Sequence, residues 1–114
     1  MNIKRGEIYL AVLDPVIGRE IAKTRPVLVV SNDINNTHSG TVSILPITSQ
    51  KVDKIYPFEV FLPKGTGNLP KDSKAKADQI RTLDQTRLVS QIGLISAQDM
   101  ARAEMAIKIH LALP

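Results

Sequence analysis

The 114-residue chain contains no cysteine and no tryptophan, and its only histidines are His38 and His110. Without thiols there is neither a disulfide framework nor a thiolate nucleophile, and two histidines so far apart lack the spacing of a zinc site. Chemistry built on metal ligands or on a Cys/His pair is therefore disfavoured, and neither metal nor cofactor is expected. Nor does the chain hold a run of about 18 apolar residues, the length a membrane span requires. Its amino terminus, Met1-Asn2-Ile3-Lys4-Arg5-Gly6, has no apolar stretch after the positive charges, so it does not read as a secretory signal. A cytoplasmic protein with no membrane partner is expected. Aromatics are scarce, being Tyr9, Tyr56, Phe58 and Phe61. Any platform for stacking nucleobases is then small, and phosphate and base-edge contacts would carry more of any nucleic-acid binding.

What is present is enough chain for one domain, residues 1–114, with a core that needs no disulfide or structural metal. Fifteen Lys and Arg against eleven Asp and Glu leave a net charge of +4. That balance suits an anionic partner such as nucleic acid, and equally a small domain charged for solubility.

The stretch Lys23 to Asp33 organises the rest. Val27-Leu28-Val29-Val30 between polar neighbours reads as a strand buried on both faces. At its mouth Arg25 precedes Pro26, which biases the arginine towards extended backbone. A guanidinium held there suits gripping an anion such as phosphate, the alternative being an ordinary solvated arginine. Before it, Glu7 to Leu13 reads as a first strand with Ile8, Leu10 and Val12 on one face, joined to the second by a long charged loop, Asp14 to Thr24. After it, the turn-rich segment Ser31 to Gly40 has room for one helical turn capped by Asn32 or Asp33.

Thr41 to Leu45 reads as a third strand ended by Pro46, after which Thr48 and Ser49 present adjacent hydroxyls: hydrogen-bond donors for an oxyanion, or a simple turn. A basic loop, Lys51 to Pro57, leads to a fourth strand, Phe58 to Leu62, with Phe58, Val60 and Leu62 pointing one way. The glycines of Pro63 to Pro70 lack the Lys-Ser/Thr ending of a phosphate loop. Ser73 to Leu83 reads as a fifth strand with Lys74, Lys76, Asp78 and Ile80 on its polar face, a helix being the rival reading. Asp84 to Leu88 suits a short turn or helix, and Ile92 to Ile95 a last short strand. Ser96, with Asp99 three residues on, starts a helix from Ala97 to Leu111, with Met100, Ala103, Ile107 and Leu111 on one stripe and Glu104 spaced to pair with Lys108. Short strands, long loops and one terminal helix make a small barrel-like β domain with helical additions.

Four motifs in order carry a resemblance: Arg5-Gly6-Glu7-Ile8-Tyr9; Lys23-Thr24-Arg25-Pro26 with the following Val-Leu-Val-Val-Ser-Asn-Asp; Pro46-Ile47-Thr48-Ser49; and Asp78-Gln79-Ile80-Arg81-Thr82-Leu83-Asp84. Together they resemble the MazF/PemK family of toxins over essentially the whole chain. The resemblance implies an SH3-like β barrel of the CcdB/PemK type with a C-terminal α-helix, and a homodimer. It implies a sequence-specific endoribonuclease that cleaves single-stranded RNA, neutralised by a cognate antitoxin. In metal-independent relatives the 2′-hydroxyl attacks its own phosphodiester, leaving a 2′,3′-cyclic phosphate and a 5′-hydroxyl, which also makes DNA a non-substrate.

By position the resemblance makes Arg25 and Thr48 the catalytic pair, stabilising charge on the phosphate oxygens. Asp78 is the second-rank candidate for general base, with a purely structural ion pair to Lys76 or Arg81 as the competing role. RNA contacts fall to Glu20, Lys23, Thr24, Ser49, Gln79 and Arg81, while His38 does not match the position of the histidine used by some relatives. Two other functions fit the fold class: a non-catalytic toxin that poisons gyrase by binding it, as CcdB does, and a silent SH3-like adaptor. The first has no use for a phosphate-stabilising pair, and the second would need an aromatic groove.

Overall fold

Val27, Leu28 and Val29 of a central strand, and Val30 just beyond its end, are all buried, with a hydrophobic core on either side. In the computed structural model, which describes residues 2–114, that strand is β2 (Thr24–Val29). It runs antiparallel between β1 (Glu7–Val12) and β3 (Thr41–Thr48). Beyond β1 lies β7 (Leu88–Leu94); the other edge of β3 takes β5 (Ser73–Lys76) and β6 (Arg81–Asp84), and β4 (Glu59–Leu62) lies outside β5. The mainly β architecture with a C-terminal helix is the one expected, its strands forming an antiparallel sheet that stays open between β4 and β7.

Alternation along the central strands separates the two cores. Val27, Val29, Tyr9, Ala11 and Ile44 enter one; Ile8, Leu28, Val30, Leu45 and Ile47 enter the other. The second core is roofed by α2 (Ala97–Leu111), which buries Met100, Ala103 and Ala106. The Ser96 hydroxyl accepts from the Asp99 amide at 3.0 Å, the cap its spacing predicts. Two details of the helix differ from expectation. Leu111, in the last turn before the left-handed Ala112, is exposed, so Ala106 replaces it on the buried stripe. Glu104 pairs with Arg5 at 2.7 Å, a stronger geometry than a helical pair with Lys108, because the Arg5 Nε also donates to Val30 O. The short α1 (Asp33–His38) is capped by Asn32 as expected.

Tyr9 and Ala11 of β1 and Leu13 just after it are buried, leaving Val12 of the Ile8-Leu10-Val12 face exposed. β7 begins at Leu88, so it is longer than the expected Ile92–Ile95 strand. Pro46 does not end β3. It is buried within it, and its missing N–H is tolerated because the ladder on that side is interrupted. Ile44 pairs with Arg81 and Ile47 with Ala75, so between these pairs the five partner residues 76–80 stand against Leu45 and Pro46 of β3. The excess is the single 3-10 turn Ala77–Gln79, which splits the expected Ser73–Leu83 strand into β5 and β6 and throws Asp78 and Gln79 off the ladder. Leu45 and Pro46 face that gap.

Candidate functional site

The β2–β3 ladder runs from Val29↔Ile44 to Val27↔Pro46. Carried two residues further, the same register sets Arg25 opposite Thr48 at the open end of the ladder. Pro26 fixes the backbone there, and β1 holds the other side through Ala11↔Arg25. The half-buried Arg25 donates Nε–H to Ala22 O at 3.2 Å, and among the described residues no carboxylate pairs with it. A guanidinium oriented by one carbonyl and free of an anionic partner is ready for a phosphate. Arg25 borders a hollow of about 200 Å³ with Ser49, Lys71 and Ser73. Thr48, whose Oγ1 accepts from the Gln50 amide at 3.1 Å, borders the next hollow with Arg19, Lys51, Lys74, Lys76 and Gln79. The adjacent hydroxyls of Thr48 and Ser49 thus open onto neighbouring hollows.

The wall beyond Thr48 is basic and pre-organised. Lys74, in register with Thr48, is almost wholly buried; its ammonium donates to Glu59 Oε1 at 3.0 Å and to Lys54 O at 3.1 Å. Lys76 donates to Glu59 Oε2 at 2.9 Å, and the Tyr56 amide to Oε1 at 3.0 Å. Burial pushes the Glu59 carboxyl towards protonation, but the Tyr56 amide and the Lys76 and Lys74 ammoniums outweigh it and hold it below the ordinary glutamate range. Asp78 is exposed and 3.8 Å from Lys76, a loose contact beside the tighter Glu59 bond. It borders the hollow that holds Glu20, Gln79 and Arg81, and does not border those of Arg25 or Thr48.

The other expected contact residues mainly shape the 14–24 loop. Gln79 accepts from the Ile21 amide at 3.2 Å and donates to Arg19 O at 3.2 Å, clamping the loop against the turn that displaces it. Arg81 donates to Leu13 O at 3.0 Å, and Glu20 accepts from the Ile17 amide at 2.7 Å. Lys23 has φ +72° and its amide donates to Asp14 Oδ1 at 3.1 Å. Thr24 opens β2, exposed, opposite Val12. Among the described residues no three His, Cys, Asp or Glu side chains converge as a metal site.

The family profile described as "PemK-like, MazF-like toxin of type II toxin-antitoxin system" matches residues 4–111. The chain belongs to this family of toxins. It is 41% identical, over 97% of its length and 98% of the relative's, to Endoribonuclease MazF9 of Mycobacterium tuberculosis. Its fold superposes with a TM-score of 0.85 on crystalline MazF from Deinococcus radiodurans, at 29% identity and 99% coverage of each chain. It is also similar to the Deinococcus radiodurans MazE–MazF structure, with a TM-score of 0.72, 28% identity and 99% coverage of each chain.

In this MazF-like toxin the structure brings Arg25, Ser49 and Thr48 to one stretch of surface, with Gln79 on its rim, and leaves Lys23 and Thr24 outside the hollows. Sequence reasoning missed Arg19, Lys51, Lys71 and Ser73 as parts of the same surface. For Lys74 and Lys76 a signal existed in their period-2 spacing on a strand, which sets both on one face. Lys71 and Ser73 border the Arg25 hollow because β5 pairs with β3 at Thr48↔Lys74, and no local pattern encodes that pairing.

Proposed function

We infer that this toxin is an endoribonuclease that cuts single-stranded RNA at specific sequences, messenger RNA above all, and so blocks translation and growth. The observation that carries the reading is Arg25, with no carboxylate partner among the described residues, at the end of the β2–β3 ladder whose register, extended two residues, meets Thr48, with lysines lining both hollows there. Membership of the toxin family supports it over gyrase poisoning of the CcdB kind.

In the proposed reaction the 2′-oxygen attacks the adjacent phosphorus, the bond from phosphorus to the 5′-oxygen breaks, and a 2′,3′-cyclic phosphate and a 5′-hydroxyl result. Arg25 and the Thr48 hydroxyl donate to the non-bridging oxygens as charge builds there; losing one such donor typically costs roughly 2.7–4 kcal/mol of transition-state stabilisation. The guanidinium stabilises charge on the phosphate oxygens and can give a proton to the leaving 5′-oxygen, after which it is reprotonated from solvent; it does not serve as base. Asp78, which borders neither the Arg25 nor the Thr48 hollow, is the second-rank candidate to take the 2′-proton, its competing role being the ion pair with Lys76. Glu20, Ser49 and Gln79 are the candidate base readers, and Lys23, Thr24 and Arg81 flank the path. No metal or cofactor is required by these steps.

The chain 1–114 acts as one domain, in the cytoplasm, as a homodimer, and is neutralised by a cognate antitoxin with an acidic, partly disordered segment that competes with RNA for the basic surface. No helix among the described residues is long and apolar enough to cross a membrane.

The test is cleavage of end-labelled single-stranded RNA in EDTA by wild type, Arg25→Ala, Thr48→Ala and Asp78→Asn. Discrete cuts ending in cyclic phosphate, lost in the first two variants by about 10²–10³-fold, are expected. Folded wild type that cuts no member of a varied RNA pool refutes the reading.

A further inference from the structure

The Thr48 hollow shares Lys51, Lys74 and Lys76 with a larger one of about 570 Å³, whose far wall is aromatic. There the Tyr56 and Phe58 rings stack in parallel, with centroids 5.5 Å apart and planes 5° apart. His110 closes the far side of Phe58 at 6.4 Å. The Lys54 ammonium lies 5.0 Å above the Tyr56 ring. Tyr56 is 44% exposed, so core packing does not account for it. Its backbone is nonetheless held at both ends by one buried residue: its amide donates to the Glu59 carboxylate at 3.0 Å and its carbonyl accepts from the Glu59 amide at 2.9 Å. A backbone-anchored, exposed ring, backed by a second ring and fronted by an exposed cation, has the parts of a stacking platform for single-stranded nucleic acid.

We propose that Tyr56 is a further RNA-binding residue that stacks a nucleobase flanking the scissile phosphate, while Lys54 moves from the ring face to the backbone phosphate beside that base. This rests on the ribonuclease reading above. Arg25 and Thr48 hold the reacting phosphate, the Lys51–Lys76 wall carries the strand past Thr48, and the strand reaches Tyr56 where the basic hollow ends. Every base has a π-face, so the contact tolerates sequence but favours the larger faces of purines.

The test begins by mapping a wild-type cleavage site. RNAs carrying that site, with the scissile 2′-hydroxyl replaced by hydrogen so that only binding is read, are then made with an abasic ribose at each flanking position in turn. For wild type, one position is expected to lose affinity by about 5- to 150-fold when abasic. Tyr56→Ala is expected to weaken the intact RNA by a similar factor and to erase the further loss at that position alone; Tyr56→Phe, which keeps the ring, restores it. Each comparison is made within one variant, so a general loss of folding does not imitate it. With wild type cutting RNA, abasic penalties that persist unchanged in Tyr56→Ala at every position overturn the stacking proposal. A wild type that cuts no RNA overturns the ribonuclease reading, and this one with it.

Discussion

Replacing Glu59 by Gln removes a carboxylate that two lysines and one amide depend on, and the structure sets the size of the effect. The Glu59 side chain is 1% exposed and that of Lys74 5%, so neither charge can turn to water. Gln keeps the shape and one acceptor for the Tyr56 amide, but its NH₂ group then faces an ammonium. Breaking a buried ion pair by removing one partner typically costs about 3–5 kcal/mol. Lys76, 21% exposed and with Asp78 at 3.8 Å, can relax outwards, which places the expected loss near the lower end. About 3 kcal/mol is a large share of the roughly 5–15 kcal/mol available to a domain, and lowers Tm by roughly 12 °C.

Acid gives the second readout. The folded-state pKa of Glu59 lies below the ordinary value of 4.5, so its contribution is complete above that value and is lost as pH falls through the lower, folded one. Urea unfolding of wild type and Glu59→Gln should therefore differ by about 3 kcal/mol at pH 7 and converge on acidification. A difference below about 0.5 kcal/mol at pH 7, the scale of an ordinary surface substitution, or one that fails to close in acid, refutes the account of a buried carboxylate stabilising this wall.

Other perturbations probe other parts of the fold. A Cβ at Gly93 would collide with the backbone carbonyl of Gly67, so Gly93→Ala must shift either β7 or the Thr66–Asn68 turn; urea unfolding should show a loss of about 1–3 kcal/mol. Gln79→Leu removes both bonds that clamp the 14–24 loop, at about 1 kcal/mol, and the Ile21 amide should exchange hydrogen faster while the β2 core amides do not. Burial and the Glu7 carboxylate push the Tyr9 hydroxyl up to about 12 from 10.0, so the wild type should lose stability as pH rises through that interval. Tyr9→Phe should lack that dependence in alkaline unfolding curves.

Local patterns were enough for much of the chain. Four aliphatics bounded by polar residues read as a doubly buried strand, Ser96 with Asp99 as a helix start, and Arg25 before Pro26 as a strand mouth, and the structure has each of them there. Pro46 misled because proline breaks a strand only where its N–H is needed, and here the partner strand had looped away. Glu59 looked like an ordinary polar residue of an alternating strand; its burial became affordable only when β5 laid Lys74 and Lys76 beside it.

The family, the mainly β class and the C-terminal helix were legible in the chain because each is written in adjacent residues or in short motifs of fixed spacing, and the same motifs single out Arg25 and Thr48 as candidates. What surrounds those two residues depends on how distant strands pair. The lysine wall, the Gln79 clamp and the Tyr56–Phe58 stack join segments tens of residues apart, and ladder register, which no local pattern encodes, is what brings them together.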